Sequence, residues 1–122
     1  MTTAHEIGHF IDYSGLGANA FASETDSALE RWRKAVRESG TIKHIAGMKS
    51  MRPKRKAVFL SETEMFARSY AQYVAKRSAD PQMLKELDRI RNGIEYWRQW
   101  KDDEFDPIAS ALDDLFKQKG WL

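Results

Sequence analysis

Two of the three histidines in the chain stand four residues apart, in His5-Glu6-Ile7-Gly8-His9. On a helix, residues four apart project from one face a turn apart. Two imidazoles so placed can hold one tetrahedral zinc ion at about 2.0–2.1 Å each. Glu6 is the neighbour that reaches a water on such an ion without ligating the ion itself. Zinc lowers the pKa of that water to about 7, and a carboxylate can take its proton as it attacks a carbonyl. The chemistry this pattern points to is metal-assisted hydrolysis. The chain has no Cys, which removes thiolate ligands, Fe–S clusters, disulfides and a cysteine nucleophile. Histidine, carboxylate and water remain as donors. Gly8 suits close approach of another backbone to this helix, and Ile7 and Phe10 are expected to face the core.

Two imidazoles and a water leave one ligand to find. A longer pattern, H-E-x-x-H-x-x-G-x-x-H, would put a third His at position 15, which here is Gly15. Asp12 shares the helix face of His5 and His9, yet at 1.5 Å rise per residue it lies about 10 Å along the axis from His5. It suits orienting His9, or an ordinary surface position. Glu64 is the other candidate, on a helix starting at Ser61. Ser61 and Glu64 also have capping-box spacing, which by itself accounts for a Glu there. Glu62 should point to a different side. Arg68, one turn after Glu64, can form a helix ion pair with it and compete with a metal role.

The elements that must position these groups read as helices. Thr2 or Thr3 can cap a first helix to about Tyr13, ended at Ser14-Gly15-Leu16-Gly17. A second helix is expected over Ser23–Ser39, with Ser23 and Asp26 at its start and Gly40 as its stop. Residues 40–60 look irregular, and Ala57-Val58-Phe59-Leu60 is the one short strand candidate. A third helix should run from Ser61 to about Arg77, with Phe66, Tyr70, Tyr73 and Val74 on its apolar face. Asp80-Pro81 opens a fourth, to about Asn92-Gly93, and Asp106-Pro107 a last one ended by Gly120. Between these two, Tyr96, Trp97, Trp100 and Phe105 suggest an aromatic connector on the core. The expected fold class is mainly α, a small helical unit of one domain with little or no sheet.

At 122 residues with 42% hydrophobic and 31% charged positions, the composition is that of one globular core. Net charge is +2, so no global field selects nucleic acid or membrane. The run Lys49, Arg52, Lys54, Arg55, Lys56 is basic, but no aromatic residue interleaves with it to stack bases. A solvated loop, or the border of a cleft favouring acidic substrates, fits it better, and a nucleic-acid partner is not expected. No apolar stretch approaches the roughly 20 residues of a membrane span. The N-terminus lacks a signal-peptide pattern. A cytoplasmic or phage-associated setting is expected. His44 reads as an ordinary loop or core histidine.

The segment His5 to Tyr13, HEIGHFIDY, resembles the zinc helix of the Glu-zincins, in which a glutamate from a later helix completes the metal site. Glu62-Thr63-Glu64-Met65-Phe66-Ala67 resembles the second motif of the catalytic domain of anthrax lethal factor and of zincin-like domains in phage and mobile-element proteins. The resemblance covers about residues 4–13 and 61–75. It implies a zinc metallopeptidase with His5, His9 and Glu64 as ligands, Glu6 as general base, and a peptide or protein as substrate. The sheet that precedes the zinc helix in full zincins has no counterpart in the four residues before His5, as in a fragment or a reduced form. The family's oxyanion-steadying Tyr is absent from 54–60, and His44, Tyr70 or Arg68 are the substitutes. The alternative is a non-catalytic module in which zinc joins two helices for assembly or protein binding in a phage-like particle.

Overall fold

The computed structural model describes residues 2–12 and 27–120, and every element within them is helical. The α-helices are α1 (Thr2–Phe10), α2 (Glu30–Glu38), α3 (Gly40–Ala46), α4 (Pro53–Leu60), α5 (Glu62–Ser78), α6 (Pro81–Arg91) and α7 (Asp102–Gln118). Short 3-10 turns cover Ser27–Leu29 and Tyr96–Arg98. No strand occurs among the described residues. The mainly α fold class therefore holds. No helix among them is long and apolar enough to cross a membrane.

α5 is the axle of the structure: α1, α4, α6 and α7 all pack on it, while α7 also packs on α2. Its start is set by Ser61, whose extended backbone ends α4 and whose hydroxyl accepts the Glu64 N–H at 3.4 Å. Its first turn holds Glu62 and Glu64 and its last Lys76 and Arg77, which complements the helix dipole at both ends. α6 starts as its Asp-Pro signal requires: the Asp80 carboxylate accepts the Met83 N–H at 3.0 Å and Pro81 takes the first position.

The core lies between α2, α5, α7 and the 96–100 connector. Trp32 stands edge-on to Phe66 at 5.4 Å and donates its indole N–H to Ser69 Oγ at 3.0 Å. Trp100 is buried beside Phe105 and donates to Ser39 Oγ at 3.0 Å. Gln72, fully buried on α5, donates to the Trp100 carbonyl at 2.8 Å and accepts the Trp100 N–H at 3.0 Å. This two-way bond ties the connector to the axle. The aromatic connector thus packs on the core as expected, except for Tyr96, which is exposed.

Several boundaries differ from the sequence expectation. Thr2 and Thr3 lie inside the first turn of α1, and a π-type turn at Ile11–Asp12 follows Phe10. The Gly stretch at 14–17, and Ser23 and Asp26, fall outside the described residues. Residues 40–60 are irregular only over 47–52, with helices on either side, and 57–60 is the end of α4 rather than a strand. Gly40 starts a helix instead of stopping one. Ser39 breaks the chain between α2 and α3 and caps α3 through Ile42 N, and the Glu104 carboxylate accepts the Thr41 N–H at 2.7 Å. The last helix begins at Asp102, not Asp106. Asp102, Asp103 and Glu104 supply the acidic first turn, and Pro107 is carried inside the helix.

α1 also presents a different face from the one expected. Ile7 and Phe10 are 45% and 69% exposed, whereas Ala4, Gly8 and Asp12 are buried at four-residue spacing. Small side chains win that row because the helix must come very near α5. A Cβ on Gly8 would stand 3.0 Å from the Ala67 Cα and 3.1 Å from the Tyr70 Cβ. Helix-to-helix distance, not hydrophobicity, decides which side of α1 turns inward.

Candidate metal centre

Close packing of α1 on α5 carries the next row of α1 side chains, His5 and His9, onto the first turn of α5. Their rings are 4.9 Å apart, edge to face. Nε2 of His5 lies 3.0 Å from one carboxylate oxygen of Glu64, and Nε2 of His9 lies 3.2 Å from the other. Taken one ligand atom per residue, the three groups lie within 4.8 Å of one another. All three are half-buried. Each imidazole Nε2 thus faces its own carboxylate oxygen at hydrogen-bonding distance. The His5 hydrogen bond holds the Glu64 carboxyl below the usual carboxylate range, against the opposing effect of burial, with Arg68 and His9 adding attraction.

Glu64 forms only half of a capping box, because the Ser61 N–H goes to the Val58 carbonyl rather than to the Glu64 carboxylate. Its backbone N–H takes the Ser61 cap, and its side chain turns to the histidines. Glu62 points elsewhere, to Arg33 at 3.6 Å and to Arg37. Arg68 does not pair with Glu64. Its guanidinium is buried, donates to the Phe59 and Arg98 carbonyls, and lies 4.9 Å from the Phe59 ring centroid. Burial lowers its pKa to about 10, so it keeps its charge at neutral pH as a positive wall behind the carboxylate. Asp12 is fully buried, which excludes the surface position, and it is not a member of the ligand group.

A cavity of about 360 Å³ opens beside the cluster. Its lining includes His5, Glu6 and Glu64 together with Arg68, Arg98 and Gln99. Glu6 lines this cavity and is exposed. Of the oxyanion substitutes, only Arg68 lines this cavity. Tyr70 packs against Gly8 and the Phe116 ring, and His44 lies on a different groove, against Tyr96. Arg98 and Gln99 are residues that sequence reasoning did not find. They carry no motif, and reach the site because Gln72 fixes the connector at Trp100.

The donor set fits zinc. Two imidazoles and one carboxylate are its habitual oxygen and nitrogen ligands, and tetrahedral sites at 2.0–2.1 Å place ligand atoms about 3.3 Å apart. The imidazole-to-carboxylate separations of 3.0 and 3.2 Å run to the two different oxygens of Glu64, and one donor atom from each of the three residues lies within 4.8 Å of the others. Compared with protein-family models, curated proteins and solved structures, the chain matches none. Residues and geometry therefore carry the functional reading alone.

Proposed function

We propose that the chain is a zinc-dependent hydrolase, a metallopeptidase of the Glu-zincin kind, in which His5, His9 and Glu64 hold the ion and Glu6 is the general base. The observation that carries this reading is the convergence of His5, His9 and Glu64 from two helices within 4.8 Å, beside a cavity that Glu6 also lines. Bound there, zinc would lower the pKa of a water to about 7 and polarise a substrate carbonyl. Glu6 accepts the proton of the attacking water and hands it to the leaving amine. Arg68 and Arg98, which line the same cavity, supply positive charge beside it. Gly8 and Ala4 keep α1 against α5, so both imidazoles stay aimed at Glu64.

The competing reading is a zinc-joined helical module for assembly or protein binding, as in phage or mobile-element proteins. Structural zinc sites are closed by four side chains, whereas catalytic ones keep three and an open position. The ligand group here has three members among the described residues, which favours the enzyme. Metal analysis of the purified protein is the first test. One zinc per chain, lost in both His9→Ala and Glu64→Ala, is expected, together with peptide cleavage abolished in Glu6→Gln without loss of zinc. Zinc that survives Glu64→Ala removes the third ligand. Zinc bound normally, with no cleavage of any peptide in a broad library, leaves the non-catalytic module.

A further inference from the structure

Six of the twenty basic residues, and none of the eighteen acidic ones, fall between Gly40 and Leu60. In the fold this stretch is α3, the loop after it, and α4. Lys56 donates to the Ala46 carbonyl at 3.3 Å and Arg55 pairs with Glu95 at 2.6 Å. Lys43, Lys49, Arg52 and Lys54 are exposed, and their side chains have no hydrogen bond or ion pair among the described residues. Four uncompensated cations on one short stretch repel one another and attract a polyanion.

The stretch contains no exposed aromatic ring of its own beyond the His44 imidazole. The fold brings one. Tyr96, 52 residues after His44, places its ring 5.8 Å from the imidazole, tilted by 33°, with its hydroxyl 3.5 Å from Nε2. Tyr96 is 47% exposed and neighbouring Ile94 is 96% exposed. The two rings line a groove of about 420 Å³ with Met48, Met51, Arg55 and Trp97. Every unpaired cation is the chain neighbour of a lining residue: Lys43 of His44, Lys49 of Met48, Arg52 of Met51, Lys54 of Arg55. The groove shares no lining residue with the metal cavity.

We propose that this groove binds single-stranded nucleic acid, with the unpaired cations following the phosphates and Tyr96 with His44 forming a platform for a base. Phosphates account for the cations, and a base accounts for the exposed rings; an acidic peptide accounts only for the first. A duplex hides its bases from such a platform. The groove needs no zinc to form, and the aromatic ring that the basic run lacks arrives from elsewhere in the chain.

The test is fluorescence anisotropy with a labelled oligothymidylate of roughly 16 nucleotides, titrated over about 50 to 200 mM salt. Four phosphate contacts predict a log–log salt slope of about −3. Tyr96→Ala should weaken binding about tenfold at unchanged slope, and Tyr96→Phe should retain it. The double substitution Lys49→Ala, Lys54→Ala should bring the slope nearer zero by about 1.4, half its value. Circular dichroism of each variant verifies the helical fold. Absence of binding at the lowest salt overturns the proposal. So does equal competition by polyglutamate, or by a duplex of the same length, with Tyr96→Ala binding as tightly as wild type.

Discussion

Gly8 sets the distance between the two helices that carry His5, His9 and Glu64, and enlarging it should separate them. A Cβ at this position would be 3.0 Å from the Ala67 Cα and within 3.2 Å of two Tyr70 atoms. Carbon atoms pack best at about 3.5–4.0 Å, so alanine requires α1 to retreat by roughly half an ångström. Alanine also stabilises a helix by about 1 kcal/mol relative to glycine, which offsets much of that strain. Valine adds two more carbons in the same place and less helix preference. It should destabilise the metal-free protein by about 1–3 kcal/mol, the usual cost of overpacking. The effect on zinc is the sharper readout. Both imidazoles ride on α1, 3.0 and 3.2 Å from Glu64, whereas zinc holds its ligands at about 2.0–2.1 Å with little tolerance. Gly8→Ala should therefore keep near-wild-type stability but bind zinc more weakly, and Gly8→Val should lose both. The assays are the urea midpoint of the metal-free protein and zinc affinity by competition with a chelator. A Gly8→Val protein with unchanged stability and zinc affinity would refute the idea that helix spacing sets the site.

Gln72→Leu removes both bonds to the Trp100 backbone and leaves a buried N–H and C=O unpaired. A loss of about 2–4 kcal/mol is expected in chemical denaturation, and a loss within about 0.5 kcal/mol, as for an ordinary surface site, would contradict it. Arg68→Met strips the donors from the Phe59 and Arg98 carbonyls, and should cost about 2–4 kcal/mol even though methionine fills much of the volume. Unchanged stability there would mean water replaces the guanidinium without penalty. The Tyr73–Asp113–Arg77 cluster links stability to pH at both extremes. The Arg77 hydrogen bond holds the Asp113 carboxyl below its ordinary value of 3.8, so the stability it contributes is present above that pH and fades as pH falls through the lowered value. Burial, with the Asp113 hydrogen bond, pushes Tyr73 up to about 12, so its contribution persists below pH 10 and is lost as pH rises towards 12. Asp113→Asn should flatten the acid limb of the stability profile, and Tyr73→Phe the alkaline limb. An acid limb equally steep in Asp113→Asn, or an alkaline limb unchanged in Tyr73→Phe, would remove that residue from the account.

Local chemistry was legible in the sequence wherever it depends on neighbours in the chain. His5 and His9 share a face because helical repeat alone puts them there. Ser61 and Asp80-Pro81 start α5 and α6 because caps act within one turn. The helix boundaries that sequence misjudged are those held from a distance. Gly40 opens α3 with Glu104 capping Thr41 from 63 residues away, and α7 begins four residues before its Asp-Pro signal. Ile7 and Phe10 were assigned to the core on hydrophobicity, yet close approach of α5 selects the row of smallest side chains instead. Glu64 could be named from the sequence, but capping and ligation were equally good reasons for it, and only the crossing of α1 over α5 brings its carboxylate to both imidazoles. Arg98 and Gln99 had no sequence signal, and Tyr96 was read only as part of the core connector, because their surroundings are set by how the connector is pinned to α5. The sequence by itself determined which residues could do chemistry, since that follows from side-chain type and local spacing. Which of them meet was decided by tertiary packing, since contacts between residues some fifty positions apart depend on the distance and angle between helices.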